Sequence, residues 1–293
     1  MIRIFLVVTL MVIAQPALAD TFGEHWYDGY AELDGYRLVI SRYGEQRTGT
    51  AVMVFVTEPF SLSKHVKVDD PRKNPDDVVT VMKLNLVRDF QTGIYDYNTM
   101  VSVFSPVETL MPIKVTFSSA EWCGHVFAEM IYGETRIEGQ YNSYFEGESG
   151  PIEVELPKDG ISEDHLFILL RGLRGDYLEP GESRTVNYLP GAFYVRLRHD
   201  VVRWTRATIA RASKTDTITV PAGEYESIVY SIKIDGGRQG TFHIEASYPH
   251  RIIRWSLAPD VMGELTGSTR LPYWELHGEG DEVHLQEIGL GSP

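Results

Sequence analysis

One cysteine in 293 residues, Cys123, cannot form an internal disulfide, and zinc sites built from four thiolates are excluded. Positive charge is also scarce. Lys and Arg number 27 against 41 Asp and Glu, a formal net charge of −14. A surface this acidic repels phosphate backbones, which argues against general nucleic-acid binding. Beyond the first twenty residues, no stretch reaches the roughly 20 apolar residues needed to cross a bilayer. There is no His-Glu-x-x-His, no Gly-x-Ser-x-Gly elbow, no Walker loop and no dinucleotide fingerprint. No repeat at a fixed short period stands out.

The rest of the composition is that of an ordinary globular chain, with 43% hydrophobic and 23% charged residues. The first twenty residues read as an export signal. Arg3 supplies the positive start, Ile4 to Ala14 the apolar run, Pro16 the break, and Ala17-Leu18-Ala19 the small-x-small cleavage pattern. Cleavage after Ala19 is expected, leaving residues 20–293 as one exported β-rich domain in the periplasm or outside the cell. The next residue, Asp20, is not a cysteine, so no lipid anchor is implied. A sub-domain boundary is expected near Gly147–Pro151, and a second lies at Glu179–Glu182.

Alternation of period two dominates the remainder of the chain. Thr50–Thr57 is apolar on both faces, as for a strand covered on both sides. Ile113, Val115 and Phe117 alternate with Lys114, Thr116 and Ser118. Ile137, Tyr141 and Phe145 share a face, and Ile228, Tyr230, Ile232 and Ile234 another. Asp235-Gly236-Gly237 then gives a tight turn, after which Phe242, Ile244 and Ala246 alternate with His243 and Glu245. One segment departs from this. Leu166, Leu169, Leu170 and Leu173 fall at helical spacing, with Ser162, Glu163 and Asp164 suited to the start and Arg171 and Arg174 to the end. The reading is mainly β: a large antiparallel curled sheet or half-barrel, as one or two coupled sub-sheets, with one short helix near 162–174. Curling round that helix would leave an apolar groove suited to a guest.

Four local patterns invite chemistry, and each has a plainer reading. Cys123 near His125 could be an activated thiol; the plainer reading is a small buried thiol beside a packing Trp122. Ser61-Leu-Ser-Lys64 has acyl-serine spacing but is set among strand-like residues, where the lysine would face away. His243, Glu245 and His250 could offer metal ligands, or simply line a solvated strand face. Between Arg184 and Lys214 there are seven basic residues and one acid, Asp200. Arg196 and Arg198, taken as strand neighbours, and Arg206 could anchor an anionic head group, with Tyr194 and Trp204 as further ligand-binding candidates. The plainer reading pairs these arginines with acids on neighbouring strands.

Several stretches carry a resemblance. Trp26-Tyr-Asp-Gly29, Ser41-Arg-Tyr-Gly-Glu45, Phe55–Phe60, Met82-Lys-Leu-Asn85, Thr92-Gly-Ile-Tyr95 and Glu121-Trp-Cys-Gly124 resemble a family of exported bacterial proteins of unknown function. Thr217–Tyr225 and Tyr248-Pro-His-Arg251 are similar to a broader family of exported β-rich domains. Such families look like curved-sheet proteins of the LolA/LolB half-barrel kind, a likeness of fold that brings no catalytic residues with it.

The expected function is a non-catalytic envelope protein binding an apolar or amphipathic, lipid-like ligand or a protein partner. No cofactor or metal is expected, and catalytic residues cannot be assigned. The alternatives are an envelope-acting hydrolase, which needs a pocket holding a carboxyl of raised pKa near the arginines, and a structural or assembly component.

Overall fold

The computed structural model describes residues 21–291, so the export signal expected over residues 1–19 lies outside the described residues. A short helix, α1 (Thr21–Trp26), opens the chain. The first meander holds β1 (Ala31–Arg42), β2 (Glu45–Ser61), the two-residue β3 (Val66–Lys67), β4 (Val78–Thr92), β5 (Tyr95–Pro106) and β6 (Lys114–Glu121). It ends with β7 (Gly124–Tyr132), β8 (Arg136–Ser143) and β9 (Gly150–Glu155). The second contains β10 (Gly160–Ser162), α2 (Leu166–Leu169), β11 (Ser183–Leu189), α3 (Ala192–Arg198), β12 (Thr205–Arg211) and β13 (Asp216–Val220). It closes with β14 (Gly223–Ile234), β15 (Gln239–Glu245), β16 (Ile252–Ala258) and β17 (Val261–Leu271).

All seventeen strands belong to one sheet. Its pairing order is β9-β8-β7-β6-β5-β4-β2-β1-β17-β16-β15-β14-β12-β11-β10. The short β3 flanks the end of β2, and β13 continues the line of β12 along β14. Every pair is antiparallel except β10–β11. The two meanders meet where β1 runs against β17, from Ala31 opposite Leu271 to Ile40 opposite Val261. The expected curled antiparallel sheet is therefore present, and it is not closed: among the described residues no ladder joins β9 to β10. Residues 156–159 link those two edges. Trp204 spans the seam, its indole N–H donating to the Glu155 carbonyl at 2.7 Å and its ring pressed against Gly160.

Burial follows the alternation. Ile137 and Tyr141 of β8 and Tyr230, Ile232 and Ile234 of β14 point inward. One buried cluster runs through both meanders. The β2 segment is covered on both faces as its composition demands: Met53 and Phe55 lie in that cluster, while Val54 and Val56 pack outside with Ala31 and Tyr273. The outer cover is the C-terminal segment, with 3₁₀ turns at Tyr273–Glu275 and Asp281–Ile288. Thr266 donates to the Ile288 carbonyl at 2.7 Å, and only glycine fits at Gly35, where a Cβ would meet that carbonyl. The Gly236-Gly237 turn has φ of 88° and 92°, which side chains resist.

The helices correct the sequence reading in two places. The run near 162–174 folds into only the four-residue α2, and turns carry the rest; Gly172, at φ 61°, and Gly175, at φ 129°, break it. The second correction is α3, which occupies residues whose alternation suggests a strand. Both helices lie inside the curl. Phe167 of α2 packs edge-on against Phe242 and Trp255, at 5.3 and 5.2 Å, and Phe193 of α3 meets Phe90 at 6.5 Å. Among the described residues the curl is packed by the protein's own side chains where a groove was expected, and the two clefts beside α3 open at its rim.

Candidate functional site

One rim of the curl is formed by the β1–β2, β4–β5, β6–β7, β8–β9, β14–β15 and β16–β17 turns. Backbone bonds lace it together: Ser41 N–H to the Asp260 carbonyl at 2.8 Å, and Asp235 N–H to Arg206 at 2.9 Å. Helix α3 reaches this rim with its C-terminal end, where Arg42 donates to the Leu197 carbonyl at 2.8 Å. Its N-terminal end is buried and capped from outside. Gly191 has no side chain to offer, so Asp164 accepts the Ala192 N–H at 2.9 Å.

Helical geometry then sorts the side chains. Tyr194 and Arg198, four residues apart, share the face toward a rim cleft of about 400 Å³, together with Val201, Ile234, Arg238 and Asp260. Arg196 points the other way and is buried. It pairs with Glu121 of β6, and its guanidinium lies 4.3 Å from the Phe145 ring. The expectation that Arg196 and Arg198 share a strand face is thus overturned by the helix. Arg206 is exposed on β12, 3.8 Å from Asp159, and Trp204 holds the seam. Of the five candidates, the structure brings only Tyr194 and Arg198 together.

Every arginine of the basic segment has an acid. Arg184 pairs with Glu182, Arg198 with Asp260, Arg203 with Asp200 and Arg211 with Asp176, besides the two pairs above. The arginines are paired with acids, as the plainer reading expects, but these acids lie in loops and turns, with Glu121 of β6 the one from a strand, and not on neighbouring strands of the ladder. At the cleft floor, Arg238 grips Glu163 at 2.6 and 3.0 Å and Asp260 at 3.1 Å, and Tyr188 donates to Glu163 at 2.8 Å. Burial works against the charge on Arg238, but Glu163 beside it holds its pKa above the ordinary value. Below lies Arg88, fully buried over Phe193 at 4.5 Å; burial lowers its pKa to about 10 against the pull of Asp164 and Glu163. Burial raises Asp164 to about 6 despite the Ala192 N–H. That is the raised carboxyl an enzyme would need. It lines neither rim cleft, however, and its oxygen is taken up in capping α3.

A second cleft, of about 260 Å³, opens between the outer edge of β9 and residues 199–202, lined by Tyr141, Glu148, Ile152, Val195 and His199. Burial favours protonated Glu148, but the Ser143 hydroxyl and His199, at 2.5 Å, outweigh it and lower its pKa.

The remaining motifs resolve into structure. Cys123 is exposed in the β6–β7 turn, its N–H donating to the Tyr95 hydroxyl at 2.7 Å, and Trp122 is exposed too. The buried-thiol reading is therefore overturned, because this tip points out from the rim. Ser61 and Ser63 both bond Asp77, so the Ser-x-x-Lys spacing is spent on a turn. Glu245 is held by Arg251 at 2.8 and 2.9 Å, and His243 faces Ser227 at 3.1 Å. Among the described residues no group of three or more His, Cys, Asp or Glu is arranged to hold a metal.

At the opposite end, sequence reasoning missed a buried pair. Arg171 does not face solvent at a helix end. It pairs with Glu32 of β1 at 2.7 Å and donates to the carbonyls of Pro249 and His250 at 2.8 and 3.1 Å. Burial would raise the Glu32 pKa, but Arg171 holds it down at about 2. Burial keeps neighbouring Asp34 well above its ordinary value. The signal for this pair was the presence of acids at the inward positions 32 and 34 of an otherwise apolar strand face.

No family model matches the chain, and no curated protein matches it. Among solved structures it is similar to a β-barrel-like protein of the domain of unknown function DUF1849 from Brucella abortus. The identity is 10%, over 83% of this chain and 98% of that one, with a TM-score of 0.49. It is also similar to a DUF1089 family protein from Pseudomonas aeruginosa, with 9% identity over 60% of this chain and 84% of that one and a TM-score of 0.38. No described helix is long and apolar enough to cross a membrane.

Proposed function

We propose that the chain is a non-catalytic exported envelope protein that binds an amphipathic, lipid-like ligand at its rim rather than inside its curl. The likeness to LolA/LolB half-barrels and the periplasmic address are parts of the same proposal. The observation that carries it is the cleft of about 400 Å³ beside α3, where aliphatic Val201 and Ile234 stand next to Tyr194 and Arg198. Arg198 is half exposed and shares Asp260 with Arg238, so it has N–H groups free to meet an anionic head. The aliphatic wall offers the ligand's tail a place out of water.

The test uses protein recovered without denaturation and a fluorescent fatty-acyl probe. Arg198→Glu combined with Tyr194→Ala is expected to weaken probe binding about tenfold or more, since a charge-assisted bond and an aromatic wall are removed. Binding unchanged in this variant, or absent in the parent, overturns the reading.

A further inference from the structure

The first meander ends its hairpins in an unusual way. Turn tips favour glycine, asparagine, aspartate, proline and serine. Here the tips of β1–β2, β4–β5, β6–β7 and β8–β9 present Tyr43, Ile94, Trp122 and Tyr144, all on the α3 rim. With Val201 just after α3, these side chains are 63% to 79% exposed, while every other exposed large hydrophobic among the described residues is at most 55%. Two runs of contacts tie Tyr43 to Trp122 and Tyr144 to the end of α3. The Tyr43 and Tyr97 hydroxyls share a hydrogen bond of 2.9 Å. Tyr97 packs on Tyr95 at 5.2 Å, and Tyr95 on Trp122 at 6.2 Å. The Tyr144 ring covers Gly124 and meets Phe145 at 5.4 Å, and Phe145 meets His199 at 5.0 Å.

We propose that this rim docks on the surface of a lipid bilayer, with the tip side chains seated among the head groups. The inference rests on the tips and holds whether or not the cleft takes a ligand. Three features favour a bilayer over a protein. Tryptophan and tyrosine, with an apolar body and a polar handle, settle at the membrane–water interface. The side chains stand on separate convex tips round a rim, which suits a flat, deformable surface. The rim also carries both charge signs. Arg42, 4.4 Å over Tyr43, stands opposite Glu45 across the β1–β2 hairpin, and Arg198 pairs with Asp260, which matches zwitterionic head groups. A chain of net charge −14 is repelled by an anionic surface.

The experiment uses the chain from Asp20 onward, which contains every strand of the sheet, with phosphatidylcholine vesicles, plain or with brominated acyl chains. Co-sedimentation and quenching of tryptophan fluorescence are expected, with weaker binding when phosphatidylglycerol is added at low salt. Trp122→Phe should still sediment but lose most of the quenching. Combined Tyr43→Ser, Ile94→Ser, Trp122→Ser and Tyr144→Ser should lower binding about tenfold or more. Trp274→Phe, away from the rim, should change neither readout. Absence of vesicle binding by the parent, undiminished binding by the fourfold variant, or quenching that survives Trp122→Phe overturns the proposal. Self-association abolished by the fourfold variant, without vesicle binding, would assign the rim to a second copy and overturn it equally.

Discussion

Arg238 lies over the ring of Tyr194, its guanidinium carbon 3.9 Å from the ring centroid, while its nitrogens hold Glu163 and Asp260. A residue of the β14–β15 hairpin thereby fixes α3, the acidic start of the α2 segment and the β16–β17 turn against one another. The cleft wall and the buried charges beneath it are one structure.

Removing Arg238 should therefore destabilise strongly. Arg238→Met leaves Glu163 buried without its ion-pair partner and Asp260 with Arg198 alone, a loss on the order of 3–5 kcal/mol in denaturant unfolding. Adding Glu163→Gln should return part of that loss, because an uncompensated charge is removed. Strictly additive losses would show that the two do not act as a pair.

The pair at the opposite end predicts acid behaviour. Glu32 titrates near 2 in the folded protein, below its ordinary 4.5. A carboxylate with a depressed pKa stabilises the fold above the unfolded value and loses that contribution as pH falls through the folded one. The contribution, about 3 kcal/mol by linkage, should fade between about pH 4.5 and 2. Glu32→Gln should flatten that limb of the stability curve while lowering stability at neutral pH. A parent and variant with parallel curves would refute this.

Two sequence neighbours should titrate against each other. Asp164, raised to about 6, binds a proton that the unfolded chain has already released, so it makes stability fall as pH rises from about 4 to 6. His165 is lowered to about 4 by burial, its Nε2 2.6 Å from the Leu110 carbonyl, so it makes stability rise over about pH 4 to 6.5. The two slopes largely cancel in the parent. Asp164→Asn should expose a rising profile and His165→Gln a falling one, each measured by urea unfolding across that range. Profiles unchanged in both variants would show that neither shift exists.

The seam offers a local test. Trp204→Phe loses the N–H that caps Glu155, worth about 1 kcal/mol. Amide exchange in β9 and β10 should quicken while that in β1 and β17 stays slow. Uniform acceleration would mean that Trp204 supports the whole fold instead.

Strands were legible because a sheet with one buried face writes its geometry into adjacent residues, as in Ile228–Ile234. Helix α3 was not. Seven residues give two turns, too few for a 3.6-residue period to show, and Tyr194, Arg196 and Arg198 mimic alternation. The rest of the site was hidden by distance along the chain. Arg196 finds its acid 75 positions away and Arg198 finds its own 62 positions away. Composition indicated that acids were plentiful, but only the curl decides which one meets which arginine. The exposed tips were visible as residues and unreadable as a set until the turns were seen on one rim.

The first and last strands, β1 and β17, are hydrogen-bonded to each other at the middle of the sheet, and the sheet's two free borders are consecutive in sequence. Every other ladder pairs strands close along the chain, so this one union bears the loop-closure entropy of joining residues some 240 positions apart. A circular permutant cut within 156–159, with a linker from the segment after β17 to Thr21, would make that union local. It should keep the architecture and fold faster.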